Sequence, residues 1–120
     1  MTSKEQALAI CEVLYNKKAH DIIAIHVAEK TIIADYFVIA SGNVPSQTKA
    51  LADEVEDRAA ELGMAVRRKE GLDDGRWIVI DFSDVLVHIF LPEERKYYNM
   101  ERLWDEENNA INYSREHGED

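Results

Sequence analysis

The chain contains a single cysteine, Cys11, in 120 residues. One thiol cannot close an intrachain disulfide, and no cysteine cluster is available for structural zinc. Nor does any apolar run reach the roughly 20 residues that a membrane-spanning helix needs. The opening segment Met1-Thr2-Ser3-Lys4-Glu5-Gln6 has no basic stretch followed by an apolar one, so no secretory signal is expected. These absences lead to the expectation of a cytoplasmic protein without membrane contact. Positive charge is also scarce. Lys and Arg number 14 against 24 Asp and Glu, a formal net charge of -10. Such a balance repels phosphate backbones, so little direct nucleic-acid contact is expected. Lys17-Lys18 and Arg67-Arg68-Lys69 are short basic pieces flanked by acids. The acidic surplus suits a basic partner, although it also serves solubility alone.

What is present is enough for a core. Hydrophobic residues make up 46% of the chain, and its length suits one domain. Ser3-Lys4-Glu5-Gln6 has the form of a capping box, and Ala7, Ile10, Cys11 and Leu14 follow at helical spacing. That predicts a helix from Lys4 to about Lys17. Asp21–Val27 and Asp35–Ala40 read as buried strands. Ser41-Gly42-Asn43-Val44-Pro45 breaks the second strand and opens a helix whose buried stripe is Leu51, Val55, Ala59 and Leu62, with Gly63 ending it. Ala65–Arg68 reads as a short strand, and Glu70–Gly75 as a loop with two glycines and an Asp pair. Trp77–Phe82 and Val85–Phe90 form a hairpin. Short helical turns are expected over Glu93–Trp104. The predicted order is α-β-β-α-β-β-β-α, a mixed α/β (α+β) domain over residues 1–105 with about five strands flanked by helices. From Asp105 to Asp120 there are six acids and one arginine, so 106–120 is expected to be a solvated acidic tail.

Chemistry-bearing groups are sparse. Asp35, Asp81 and Asp84 lie near strand ends, but Asp81-Phe82-Ser83-Asp84 is better explained as a hairpin turn. Ser41-Gly42-Asn43 before a helix could cradle a phosphate, yet it lacks a longer glycine pattern and a suitably placed lysine. It is better read as a strand-to-helix turn. Cys11 falls on a buried helix face and acts as a small hydrophobe. His88 stands inside an apolar strand, either packed there or exposed on the outer face as an interface group. No histidine spacing makes a zinc site, and no cofactor is expected. Five aromatics remain: Trp77, Phe90, Tyr97, Tyr98 and Trp104, set among Arg76, Glu93, Glu94, Arg95 and Arg102. At least two should reach the surface, with Trp77 and Tyr98 foremost. Large amphipathic aromatics beside arginine are what protein-binding surfaces are built from.

Three stretches carry a resemblance: Ala34–Asn43, Glu70-Gly71 with Trp77–Phe90, and Glu94–Trp104. Together they resemble the ribosomal silencing factor family, also called RsfS, YbeB or Iojap-like. Asn99-Met100 stands where that family usually has a Leu before Glu. The resemblance implies a nucleotidyltransferase-like fold without enzymatic activity. It implies binding to the large ribosomal subunit through its protein uL-fourteen, which blocks subunit association and represses translation when nutrients are scarce. It implies a homodimer when free. The residues expected at the ribosomal-protein contact are Glu70, Trp77, Asp81, His88, Phe90, Arg95 and Tyr98. The alternative is a divalent-metal-dependent nucleotidyltransferase using Asp35 and Asp81, which would require the two carboxylates to meet across a cleft.

Overall fold

A computed structural model describes residues 1–105 and 108–118; Glu106, Glu107, Glu119 and Asp120, part of the expected tail, lie outside the described residues. Eleven elements follow in order: α1 (Ser3–Asn16), β1 (His20–His26), β2 (Tyr36–Ser41), α2 (Pro45–Glu61), β3 (Arg68–Glu70), β4 (Trp77–Asp81), β5 (Val85–Phe90), α3 (Pro92–Tyr98), α4 (Met100–Trp104), β6 (Ala110–Asn112) and α5 (Tyr113–Glu116). The predicted order holds through α3, and the mixed α/β class is as expected.

The strands form one six-stranded sheet in the order β3-β4-β5-β2-β1-β6. β2 and β5 run parallel and every other pair is antiparallel. Register sorts the side chains into two faces. One face carries Ala24, Val38, Val87 and Ile80 in a single row, with Ala40, Ile89 and Ile78 in the next. α1 and α2 cover it with Ile10, Cys11, Leu14, Leu51 and Val55, all buried. The apolar i, i+3, i+4 spacing of both helices is what lays these residues on one side.

The opposite face carries Ile23, Ile39, His88 and Val79 in one row, and Ile25, Phe37, Leu86 and Asp81 in the next. Here cover is partial. Met100 and Trp104 of α4 pack against the apolar cluster that includes Phe37, Ile39 and Phe90, while Val79 and Leu86 remain half-buried and the edge residues Arg68 and Glu70 are exposed.

Residues 108–118 differ from the solvated tail expected of them. Ala110–Asn112 pairs with β1 as the sixth strand, and Tyr113 and Ser114 are buried. The Ser114 hydroxyl accepts a hydrogen bond from the backbone N–H of Ile22 at 2.8 Å, satisfying a buried donor on β1. Tyr113 stacks on His117 at 3.8 Å, and the Tyr15 hydroxyl donates to the His117 carbonyl. Pairing of β6 covers what would otherwise be the open edge of β1, and the burial of Tyr113 and Ser114 behind it outweighs the acids around them. Among the described residues no helix is long and apolar enough to cross a membrane.

Candidate functional site: an aromatic docking flank

The partly covered face concentrates the chain's aromatics. The Trp77 ring stacks on Phe90 at 5.0 Å and its Nε1–H donates to Nδ1 of His88 at 3.1 Å. Phe37 meets His88 edge-on at 5.3 Å and Trp104 at 5.0 Å. Tyr98 lies 4.6 Å from Trp77, with Tyr97 set edge-on to Tyr98 at 5.0 Å. Outward from the sheet, the layer therefore runs from Phe90 and His88 through Trp77 to Tyr98. The two tyrosines are 47% and 80% exposed. Ring contacts at these distances hold the outer rings in place, which lowers the ordering cost of using them to bind.

The turn beside this layer depends on glycine. Gly71 has φ +83, and a Cβ there would collide with the carbonyl oxygen of Trp77. Only glycine allows β3 and the following loop to close against the start of β4, which brings Glu70 alongside Val79. Beyond them, Ile32, Ile33, Arg67, Arg68, Asp81 and Leu86 line an open cleft of about 440 Å³. Ile33 is half exposed and Ile32 wholly so.

The seven residues expected at the contact separate into distinct roles. Glu70, Trp77 and Tyr98 share the open flank and retain surface. His88 is 4% exposed and Phe90 is fully buried, so both support Trp77 from beneath and offer no surface themselves. Of the two readings of His88, the structure realises the packed one. Burial among aromatic rings pushes its pKa down to about 4 and keeps the imidazole neutral. Asp81 is buried, and its Oδ1 accepts from the Ser83 N–H at 2.8 Å, an Asx turn that lets Ser83 adopt φ 74. Arg95 is drawn inward: its Nη1 donates to Ser41 Oγ at 2.8 Å and its Nε to Glu101 Oε2 at 3.1 Å. Tyr97, Ile33 and Leu86 also belong to the flank. The sequence did not single out Ile33 and Leu86, because an exposed or half-buried aliphatic carries no pattern of its own.

Catalytic arrangements find little support in these positions. Asp81 sits on β4 and Asp35 just before β2, with β5 between those strands. Among the described residues no group of three or more His, Cys, Asp or Glu side chains is gathered as a metal site would require. Asp81 is moreover held within its own turn. Burial pushes the Cys11 thiol up to about 12, which leaves it protonated and inert. The Ser41-Gly42-Asn43 segment is a packed strand-to-helix turn: the Gly42 N–H donates to the Phe90 carbonyl, and a Cβ on Gly42 would meet Thr48 Cγ2 at 3.0 Å. The recess beside it, about 620 Å³, mixes Arg95 and Lys96 with Asp21 and Glu101, so its charge favours no anion.

Comparison with known proteins agrees with this architecture. The RsfS family, described as ribosomal silencing factor during starvation, matches residues 1–120. The ribosomal silencing factor RsfS of Bacillus subtilis is 44% identical over 98 residues, covering 82% of this chain and 80% of its own length. More distantly, the chloroplastic protein Iojap of Arabidopsis thaliana is 30% identical over 82% of this chain and 41% of its own length. A crystal structure from Chromobacterium violaceum superposes with a TM-score of 0.84 at 35% identity, covering 87% of each chain. One from Bacillus halodurans gives 0.78 at 34% identity, covering 90% of this chain and 97% of its own. The chain belongs to the ribosomal silencing factor family.

Proposed function

We propose that the chain silences the ribosome by occupying a protein surface, without catalysis. The aromatic flank of β3 and β4 docks on uL-fourteen of the large subunit. Bound there, the chain blocks association with the small subunit and represses translation under nutrient limitation, in the cytoplasm. The observation that carries this reading is the Trp77–Tyr98 pair, held at 4.6 Å on a sheet flank that no helix among the described residues covers fully. Family membership supplies the ribosome as target. Steric exclusion needs no reactive group. It needs roughly 800 Å² of buried surface per partner, centred on a few anchors.

Charge supports a protein partner over RNA. At a net -10 the chain is repelled by phosphate and steered towards basic protein surface. In the absence of ribosomes, the same apolar flank favours pairing with a second copy. Co-sedimentation with purified large subunits at two salt concentrations is the test. The reading predicts saturable binding that weakens as salt rises, with no binding to subunits stripped of uL-fourteen. Equal binding to stripped subunits would refute the assigned partner.

A further inference from the structure

α3 and α4 contain seven and five residues, and neither buries a single residue fully. Helices this short are marginal by themselves. Yet α3 carries Tyr98, whose ring must stand over Trp77 for the docking flank to exist. α4 is seated on the apolar cluster by Met100 and Trp104, but α3 adds no residue to either apolar cluster, so its placement needs a further tie to the sheet.

Arg95 meets that need. Its side chain is only 11% exposed although it lies on a surface helix. Its guanidinium reaches two separate elements: Ser41 Oγ at the end of β2 through Nη1 and Glu101 Oε2 on α4 through Nε. Its backbone carbonyl accepts from the N–H of Asn99, the residue at φ 44 that turns the chain from α3 into α4. Tyr98 is three residues further along the same helix, on the next turn. A planar fork engaging a hydroxyl and a carboxylate fixes direction as well as distance, which a lysine ammonium does not.

We infer that Arg95 is a positioning residue of the docking flank: with Ser41 and Glu101 it clamps α3 and α4 to the sheet and so sets the Tyr98 ring over Trp77, without itself touching the partner. This rests on the docking reading above, but the clamp can be examined in the free protein. A direct anchor and a clamp predict different things. A partner-contacting cation would be replaced tolerably by lysine, and its loss would flatten the salt dependence of binding. A clamp would be lost with either tine of the fork, and the salt dependence would stay as it was.

The test uses the full chain with Arg95→Gln, Arg95→Lys, Ser41→Ala and Glu101→Ala, each first checked for native circular dichroism. In the free protein, nuclear Overhauser contacts between the Trp77 indole and the Tyr98 ring are expected to weaken in all four variants. Affinity for purified large subunits is expected to fall about tenfold in Arg95→Gln and Arg95→Lys alike, the size of losing one anchor's placement. The slope of affinity against salt should stay at its wild-type value, and Arg95→Gln combined with Glu101→Ala should bind no more weakly than Arg95→Gln alone. Full Trp77–Tyr98 contacts in folded Arg95→Gln would overturn the inference. So would wild-type affinity in Arg95→Lys, or a flattened salt slope. Failure of the wild-type chain to bind subunits would refute the docking reading instead, and the ring contacts in the free protein would still decide the clamp. Should Arg95→Gln fail to fold, Ser41→Ala decides between the same outcomes, since it removes one hydroxyl from the clamp.

Discussion

The indole Nε1–H of Trp77 donates to Nδ1 of His88 at 3.1 Å, across the antiparallel β4–β5 pair. An acceptor at Nδ1 places the proton of the neutral imidazole on Nε2. The bond also fixes the indole over Phe90, where the two rings lie at 25° to one another. A histidine that looked equally suited to a surface contact thus orients the Trp77 indole from within the sheet.

Replacing Trp77 by Ala should weaken binding to large subunits by about 2 kcal/mol, as for a central aromatic anchor. It should also lower folding stability, since Phe90 and His88 lose their cover. Trp77→Phe keeps a ring against Phe90 and Tyr98 but has no N–H for His88, so it should fall between the two. Titration with purified subunits, paired with urea denaturation, checks both effects. Unchanged affinity in Trp77→Ala would remove Trp77 from the contact.

His88 makes the protein acid-sensitive in a defined window. Its folded-state pKa is about 4, below the ordinary 6.5, so the unfolded chain binds the extra proton first. The contribution of neutral His88 is therefore fully present above about pH 6.5 and lost as pH falls towards 4. Over that span the loss is on the order of 3 kcal/mol from this residue. A proton arriving at Nδ1 would also displace the Trp77 hydrogen bond. In a nuclear magnetic resonance titration the His88 ring should show a midpoint near 4; a midpoint near 6.5 would mean that it is solvated.

Gly71→Ala should destabilise the fold by about 2 kcal/mol or more, through the positive φ and the clash with the Trp77 carbonyl oxygen. Gly63 also has a positive φ, +74, but open space for a Cβ, so Gly63→Ala should cost less. Urea denaturation of the two variants side by side checks the contrast. Equal destabilisation would show that the close approach at Gly71 contributes nothing.

Ser114→Ala removes the acceptor for the buried Ile22 N–H. The expected loss is about 1–3 kcal/mol, with faster amide exchange at Ile22. A change within about 0.5 kcal/mol would mean that the C-terminal segment is not integral to the sheet.

Periodicity and turn chemistry made most of the fold legible. The α1 and α2 stripes, the two central strands and the β4–β5 hairpin all announce themselves by apolar spacing. Boundaries moved where two local solutions compete. Thr2 and Glu5 form the capping box in place of Ser3 and Gln6, with Thr2 N–H donating to Glu5 Oε1 at 2.7 Å, a bond to a charged acceptor. The strand expected at 65–68 lies instead at Arg68–Glu70, because its register comes from pairing with β4 and all three of its residues are exposed. β6 was hidden because three residues among acids carry no periodicity. At the proposed docking flank, composition singled out Trp77 and Tyr98. It could not separate them from His88, Phe90 and Arg95, since facing inward or outward is a property of pairing register and of partners distant in sequence.

Subunit association is the most direct measure of the proposed function. Purified large and small subunits are mixed and their joining followed by light scattering, with the wild-type chain or the Trp77→Ala/Tyr98→Ala double variant prebound in excess. The aromatic flank predicts that the wild-type chain suppresses joining and that the folded double variant does not. Normal joining with the wild-type chain demonstrably bound to the large subunit would contradict it.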